Sequence, residues 1–181
     1  ASHYVGHPTR KVRGIEQNTG ALGHGLAFSV GVALAGKRDG RGYRVYTLLG
    51  DGELAEGSNW ESMLTGAHYR LDNLVAIVDR NTLQITGRTE DVCALEPLAD
   101  KMVAFGWAVR EVDGHDLDAL TEVFDAAPFA ADKPSAVIAR TIKGKGISFM
   151  ENDPKWHHHV PTDEQFARAL RELDERLKEA Q

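Results

Sequence analysis

The chain has 181 residues, the length of one ordinary domain, and this length is sufficient to bury a sizeable core. Its 27 acidic and 21 basic residues give a formal net charge of −6, and no basic block stands out, which argues against a nucleic-acid-binding surface. No apolar run reaches transmembrane length and no signal segment opens the chain, so we expect no membrane association and a cytoplasmic location. Cys93 is the only cysteine, which excludes an internal disulfide and suggests a buried, inert thiol in a reducing compartment.

The first half of the chain predicts a helix followed by a strand–helix–strand unit. Residues 1–19 are expected to be irregular, and residues 22–37 are expected to form a helix whose many small side chains indicate close packing against another element. Apolar runs at 44–49 and 74–78 predict two strands. Between them lies the apolar stripe of an amphipathic helix, formed by Trp60, Met63, Leu64, Ala67 and Leu71. This order is a βαβ unit, whose two strands run parallel.

The second half predicts two more strands, at 107–112 and 135–142, with a helix near 116–127 between them. The apolar face of that helix consists of Leu117, Leu120, Val123, Phe124 and Ala127. A final helix is expected to begin with Asp163 as its cap and to end at about residue 178. Its apolar stripe is formed by Phe166, Leu170, Leu173 and Leu177. The predicted fold class is α/β, a mainly parallel sheet flanked by helices, in a single domain spanning 1–181.

Polar residues follow the two strands of the βαβ unit at the point where each strand ends. Asp51 lies between Gly50 and Gly52 after the first strand, and Asn81 follows the second, thirty positions after Asp51. Parallel neighbouring strands lie roughly 5 Å apart, and open α/β sheets bind ligands at this edge. A divalent ion with two protein oxygens usually completes its shell with waters and phosphates. The pattern therefore predicts a magnesium-bridged phosphate ligand.

The pair Gly50-Asp51-Gly52 and Asn81 resembles the thiamine diphosphate motif of one enzyme family. Further similar stretches are His7-Pro8, TGALGHG at 19–25, VDGHD at 112–116, KGKGISFMEN at 143–152 and Trp156-His157. Together they cover essentially the whole chain, which resembles the N-terminal, diphosphate-binding part of transketolase, especially of the kind encoded as two polypeptides. The resemblance implies the thiamine diphosphate-binding fold. Because family members carry a further segment before Gly6, we expect this chain to lack the family's first N-terminal segment.

The resemblance implies thiamine diphosphate as the cofactor, with Mg²⁺ (or Ca²⁺ or Mn²⁺) bound to Asp51, Asn81 and the backbone carbonyl of Leu83. Contacts to the cofactor are then expected from the turn after the first strand, namely Gly50, Asp51, Gly52 and Glu53. Gly20 and Leu22 are expected on the aminopyrimidine side, and Ile85 is expected beneath the thiazolium ring.

The same resemblance implies four catalytic candidates. His7, Lys143 and His157 are expected around the diphosphate and the reactive carbon, so that Lys143 and His157 also bind the cofactor. Glu56 corresponds to a glutamate at the subunit interface between two active sites. The run from His157 to His159 could suggest zinc, but consecutive histidines rarely converge on one tetrahedral ion and no cysteine pair accompanies them.

The implied activity is transfer of a two-carbon ketol unit from a ketose, or ketose phosphate, to an aldose. The glutamate that activates the cofactor belongs in this family to a second, pyrimidine-binding domain. We therefore expect a C-terminal, pyrimidine-domain partner subunit, an α2β2 heterotetramer, and no activity from this chain alone.

Three alternatives remain at this point. One is the α subunit of a 2-oxo acid dehydrogenase or another thiamine diphosphate enzyme, although the segment 143–157 favours transketolase. Another is a non-catalytic homologue, suggested by the expected lack of the N-terminal segment. A nicotinamide-dependent oxidoreductase is disfavoured, because no GxGxxG follows a first strand with an acidic residue about 20 positions further on.

Overall fold

This computed structural model describes residues 6–179 of the chain, which form helices, strands and the loops between them. In chain order they are α1 (Gly25–Arg38), β1 (Val45–Gly50), α2 (Gly57–His68), β2 (Leu74–Arg80), β3 (Leu83–Gln84), β4 (Gly87–Arg88), α3 (Thr89–Val92), α4 (Leu98–Ala104), β5 (Ala108–Asp113), α5 (Leu117–Asp125), β6 (Ser135–Arg140) and α6 (Asp163–Glu179). Single 3₁₀ turns occupy Gly52–Ala55 and Pro154–His157. No helix within 6–179 is both long and apolar enough to cross a membrane.

Four parallel strands form the main sheet, in the order β1-β2-β6-β5. All four predicted strands are confirmed, with ends that differ from the prediction by no more than two residues. The α/β prediction with a mainly parallel sheet is therefore confirmed. The short antiparallel hairpin of β3 and β4, which follows β2 directly, was not among the predicted elements.

The two faces of the sheet carry separate apolar cores. The larger core lies under α1, α2 and α4, and it includes Leu26, Met63, Met102, Trp107 and Ile138. The smaller core lies under α5 and contains Val75, Val123, Ala127 and Val137. Alternation along β2 and β6 produces this division, because successive side chains of a strand point to opposite faces.

The small residues of α1 lie on two different faces of the helix. Gly36 faces inward, where an added Cβ would lie 2.5 Å from the Tyr43 ring, so the predicted close packing is confirmed at this position. Ala27, Gly31 and Ala35 face outward beside Phe28, whose side chain is 50% exposed. The helix begins at Gly25 rather than at residue 22, because Gly23 adopts a positive φ of 80°.

The predicted apolar stripe of α2 is wrong in part. Met63 is fully buried, whereas Leu64 is 58% exposed and Leu71 lies beyond the end of the helix in the core. Polar Asn59 and Ser62 are buried instead. Asn59 donates to the Glu53 carbonyl at 2.8 Å and Ser62 to the Ser58 carbonyl at 2.6 Å, so their burial leaves these donors satisfied.

Three further expectations need correction. Cys93 is exposed rather than buried, since it ends α3 at the surface. Leu117 is 76% exposed at the first position of α5, where Asp116 is the cap. Asp163 does not cap α6 but is its first residue, and the cap is Thr162. The Thr162 hydroxyl accepts from the Gln165 N–H at 3.3 Å and the Gln165 side chain accepts from the Thr162 N–H at 2.9 Å, a capping box.

Candidate functional site

Asp51 reaches across from the end of β1 to the segment that follows β2. The two strands are neighbours, with Gly50 opposite Asp79, as the sequence predicts. The Asp51 side chain is only 1% exposed. Its Oδ1 accepts from the Gly52 N–H at 2.8 Å, and its Oδ2 accepts from the Thr82 N–H at 2.6 Å. The carboxylate is therefore fixed between the two polypeptide segments at the carboxyl edge of the sheet.

The segment from Asn81 to Leu83 forms a tight turn beside that carboxylate. The Asn81 side-chain oxygen accepts from the Leu83 N–H at 3.0 Å, an arrangement typical of asparagine in turns. Thr82 has a φ of 67°, an uncommon conformation for a β-branched residue. This conformation points the Thr82 N–H at Asp51. Thr82 was not singled out from the sequence, because a backbone contact leaves no residue-type signal.

Arg80 is the main site residue that the sequence analysis missed. It is 3% exposed and lies at the end of β2. Its guanidinium donates to Asp51 at 2.9 Å and to the Thr89 hydroxyl at 2.7 Å. It also contacts Glu90 at 2.7 Å and Glu96 at 3.0 Å. A charged residue at the end of an otherwise apolar, buried strand was the available signal, since arginine is almost never fully buried without partners.

Burial raises the pKa of the Asp51 carboxyl above its ordinary value, and hydrogen bonds from Arg80, Thr82 and Gly52 oppose that rise. Desolvation disfavours a charged group, whereas a nearby cation favours it. A divalent ion beside Asp51 would therefore lower this pKa and stabilise the ionised form. A cation at this position would thus offset the cost of burying the ionised Asp51 carboxylate.

Glycines create close backbone approaches around the same edge. A Cβ on Gly52 would lie 2.7 Å from Cβ of Gln84, so the turn after β1 packs directly on β3. A Cβ on Gly23 would lie 2.6 Å from the Ser58 hydroxyl and 2.7 Å from Cβ of Glu56. The Glu53 carboxylate accepts from the Gly23 N–H at 2.9 Å and the Gly50 N–H at 3.1 Å. Glu53 thereby ties the loop before α1 to the turn after β1.

His7 lies against the glycine-rich loop that precedes α1. A Cβ on Gly20, which has a φ of 122°, would be 3.1 Å from the His7 ring. Leu22 is 50% exposed on the same loop. Because Glu53 holds this loop at Gly23, His7, Gly20 and Leu22 are connected to the Asp51 turn. Glu56 is exposed beside Gly23, where it precedes α2 without capping it through its side chain.

Lys143 and His157 come together at a second part of the edge. The pKa of His157 is lowered from its ordinary value by burial first, then by the positive charge of Lys143 and by His158. The turn Pro154–His157 lies against β3, which begins at Leu83. Ile85 is 53% exposed at the tip of the hairpin that β3 starts. The structure thus connects both predicted groups of site residues through β3.

The donors available at this edge are oxygens. They are the Asp51 carboxylate, the Asn81 amide oxygen and the Leu83 carbonyl, a set suited to a hard cation such as Mg²⁺. Within residues 6–179 no group of three or more His, Cys, Asp or Glu side chains could hold a metal ion. Such oxygen donors fit a divalent ion that completes its shell with waters and phosphate, and the ligand set itself stays a prediction.

A family model described as "Transketolase, thiamine diphosphate binding domain" matches residues 1–173. Among curated proteins, the chain is 51% identical to one of the subunits of apulose-4-phosphate transketolase from Phocaeicola vulgatus, over 96% of this chain and 62% of that protein. It is 42% identical to the 6-deoxy-6-sulfo-D-fructose transketolase subunit SqwG of a Clostridium species, over 91% of this chain and 60% of that protein. The chain thus spans about three fifths of these two relatives.

A comparison with a solved structure also indicates the transketolase family. The chain resembles the crystal structure of transketolase from Campylobacter jejuni with a TM-score of 0.81 at 30% identity. The match covers 89% of this chain and 26% of that one. The parallel sheet with its flanking helices is therefore the fold of the thiamine diphosphate-binding part of such enzymes.

Proposed function

The chain belongs to the transketolase family, matching its thiamine diphosphate binding domain, and we propose that it is the diphosphate-binding subunit of a split transketolase. The observation that carries this proposal is the contact of the buried Asp51 carboxylate with the Thr82 N–H, next to Asn81. This contact supports the proposal, because it joins the Asp51 carboxylate to the residue that follows Asn81 at one edge of a parallel sheet.

We propose Asp51, Asn81 and the Leu83 carbonyl as the ligands of a Mg²⁺ ion, which Ca²⁺ or Mn²⁺ could replace. The amide oxygen of Asn81 accepts one hydrogen bond, from the Leu83 N–H, and a carbonyl oxygen has two lone pairs. One therefore remains for a cation. Asp51 is the only anion of the three, and the cation would offset part of the diphosphate charge.

We propose roles at the same edge of the sheet for the remaining predicted residues. Gly50, Gly52 and Glu53 shape the turn beside the diphosphate, and Gly20 and Leu22 border the aminopyrimidine side. The exposed Ile85 provides an apolar contact for the thiazolium ring. These roles follow from the resemblance, and the connected contacts of the two loops support them.

Thiamine diphosphate, when bound, supplies carbanion stabilisation, and the protein supplies orientation and electrostatics. The lowered pKa of His157 favours the neutral imidazole, in which one ring nitrogen can accept a proton or a hydrogen bond. Lys143 adds a fixed positive charge nearby, suited to an anionic group. His7 would contribute a second imidazole from the loop that includes Gly20.

A pyrimidine-domain partner is part of the proposal, in an α2β2 assembly. The relatives named above are subunits of transketolases, and the chain spans about three fifths of their length. The outward face of α1, with Phe28, Gly31 and Ala35, and the exposed Glu56 are the proposed contact surface. Small residues allow a partner's backbone to approach closely, and Phe28 provides an apolar anchor.

For the substrate, we propose a ketose that carries an anionic group. The sugar named for one relative carries a phosphate and that named for the other carries a sulfo group. Transfer of a two-carbon ketol unit from such a ketose to an aldose is the activity expected of the assembled enzyme.

Co-expression with a pyrimidine-domain partner tests this function. We expect the assembled protein to bind thiamine diphosphate with Mg²⁺ and to transfer a ketol unit from xylulose 5-phosphate, whereas the purified chain alone should be inactive. Decarboxylation of 2-oxo acids without ketol transfer would favour the 2-oxo acid dehydrogenase alternative. Absence of cofactor binding in the complex would favour a non-catalytic homologue. Robust turnover by the chain alone would contradict the requirement for a partner.

A further inference from the structure

We propose that Arg80 is a positioning residue for the divalent cation. Arg80 holds Asp51 Oδ2, so that Oδ1 is presented to the ion, while Glu90 and Glu96 offset the positive charge of Arg80. This inference rests on the proposed function, because it assumes that Asp51 is a metal ligand. Arg80, Glu90 and Glu96 are not themselves among the proposed ligands.

All five N–H donors of the Arg80 guanidinium are satisfied within the protein. One terminal nitrogen donates to Asp51 Oδ2 at 2.9 Å and to the Thr89 hydroxyl at 2.7 Å. The other donates to Glu90 at 2.7 Å and to Glu96 at 3.0 Å, and Nε donates to Glu96 at 3.3 Å. A guanidinium has five donors in a fixed fork, so this set of partners leaves Arg80 a single orientation.

Arg80 therefore determines how the Asp51 carboxylate is used. Oδ2 already accepts two hydrogen bonds, from Arg80 and from the Thr82 N–H, whereas Oδ1 accepts one, from the Gly52 N–H. Each carboxylate oxygen has about two acceptor sites. Oδ1 is thus the oxygen with an unused acceptor site, and rotation of the carboxylate would break the Arg80 contact.

A positive group next to a metal ligand would ordinarily repel a cation. Here one guanidinium is shared by three carboxylates, those of Asp51, Glu90 and Glu96, so the cluster keeps a net charge of −2. The two glutamates are themselves fixed by backbone donors, since Glu90 accepts from Leu95 at 3.1 Å and Glu96 from Leu98 at 2.9 Å. Their charges thus let Arg80 position Asp51 without cancelling its attraction for a cation.

Metal affinity tests the inference without reference to turnover. Mn²⁺ binding to the chain assembled with its partner subunit, in the presence of thiamine diphosphate, is measured by electron paramagnetic resonance. Arg80→Lys keeps the charge but offers at most three donors, so we expect about tenfold weaker Mn²⁺ binding, in the range found for residues that orient metal ligands. Glu96→Gln removes one negative charge without changing shape, and we expect about threefold weaker binding or more.

Arg140→Lys is the matched control. Arg140 lies opposite Arg80 in the next strand and pairs with Glu111 at the surface. Its substitution by lysine keeps the positive charge that Glu96 also senses, so it should leave Mn²⁺ affinity unchanged. Melting of each variant with and without metal separates positioning from general stability, because a purely structural Arg80 would lower both temperatures equally and leave the affinity unaltered. If Arg80→Lys does not assemble with the partner subunit, the Mn²⁺ affinity of Glu96→Gln tests the inference instead.

Asp51→Asn distinguishes this inference from the function on which it rests. If Asp51→Asn loses Mn²⁺ while Arg80→Lys and Glu96→Gln bind it with wild-type affinity, the positioning role of Arg80 is wrong and the metal site stands. If Asp51→Asn itself binds Mn²⁺ as the wild type does, the proposed metal site is wrong.

Discussion

The buried charge of Asp51 is held by several hydrogen bonds rather than by one ion pair. Gly52, Thr82 and Arg80 all donate to it. Truncation to alanine would leave the Gly52 N–H, the Thr82 N–H and one guanidinium donor without this acceptor, at a cost of about 1–3 kcal/mol for each buried group. Asp51→Asn keeps an oxygen in place, and it is therefore the sharper variant for separating ligand chemistry from folding.

Thr82 shows how local strain can accompany such a site. Its left-handed backbone, with a φ of 67°, costs on the order of 1–3 kcal/mol for a residue that is not glycine. Two hydrogen bonds oppose this cost, from the Thr82 N–H to Asp51 at 2.6 Å and from the Thr89 N–H to the Thr82 carbonyl at 2.9 Å. The turn persists because both neighbours hold it.

The interaction between Lys143 and His157 gives a prediction at the scale of single residues. In Lys143→Met, we expect the pKa of His157 to rise, because a positive charge that disfavours imidazolium has been removed. The pKa should stay below its ordinary value, because burial, the largest cause of the shift, remains. Nuclear magnetic resonance titration of the His157 ring proton measures the change, with the signal assigned by its loss in His157→Gln.

The pH dependence of stability follows from the same lowered pKa of His157. A histidine with a lowered folded-state pKa favours the neutral form, so stability present at neutral pH is lost as pH falls below the ordinary value of about 6.5. Lys143→Met should reduce the part of this loss that comes from the lysine charge. Lys145→Met is the control, because Lys145 is exposed and is not among the causes of the shift. An unchanged His157 titration in Lys143→Met would contradict the proximity of the two charges.

At the scale of elements, the sequence predicts the strands better than the packing faces of the helices. Runs such as 74–78 are apolar along their whole length, as buried parallel strands are, and β2 is buried on both faces. The face of α2 could not be derived from apolar periodicity, since Ser62 and Asn59 are buried through hydrogen bonds to backbone carbonyls. Those acceptors lie on the same helix or the preceding turn, which composition does not reveal.

The candidate site was likewise predictable from the sequence only in part. The meeting of Asp51 with the segment after β2 follows from strand order and register alone, and both are predictable from a βαβ pattern. The burial of Arg80 had a signal in the sequence, but its partners were not predictable, because they depend on the path of the chain through α3 and the turn that contains Glu96. That path brings Glu90 and Glu96 to one guanidinium, although neither lies in a strand.

The capping box of α6 gives a prediction at this scale. Thr162→Ala removes the hydroxyl that accepts from Gln165, so we expect about 1 kcal/mol of destabilisation, the usual cost of losing an N-cap. Asp163→Asn, at the first helical position, should cost only a few tenths of a kcal/mol through its interaction with the helix dipole. Hydrogen exchange of the α6 amides measures both. A larger effect from Asp163→Asn than from Thr162→Ala would restore Asp163 as the cap.

At the scale of the whole molecule, apolar side chains remain exposed on several surfaces. Tyr46 and Leu48 of the edge strand β1 are 47% and 70% exposed, and Leu177 of α6 is 61% exposed. Parallel sheets are normally covered on both faces, so β1 presents an uncovered portion of the sheet. The surfaces differ in shape, because only α1 combines an exposed aromatic residue, Phe28, with a row of small residues at Ala27, Gly31 and Ala35 within the helices that the structure describes.

The outward face of α1 therefore gives the last prediction. We expect Phe28→Ser to weaken binding of the proposed partner subunit by about thirtyfold. This is the loss expected when a central aromatic anchor worth about 2 kcal/mol is removed. The stability of the isolated chain should change by less than about 0.5 kcal/mol, because Phe28 is half exposed and does not belong to either core. Calorimetric titration of the partner into each variant measures affinity. Leu177→Ser is the matched control, since it removes a similarly exposed apolar side chain from α6 and should leave affinity unchanged. Equal weakening by both substitutions, or by neither, would show that α1 does not form the contact.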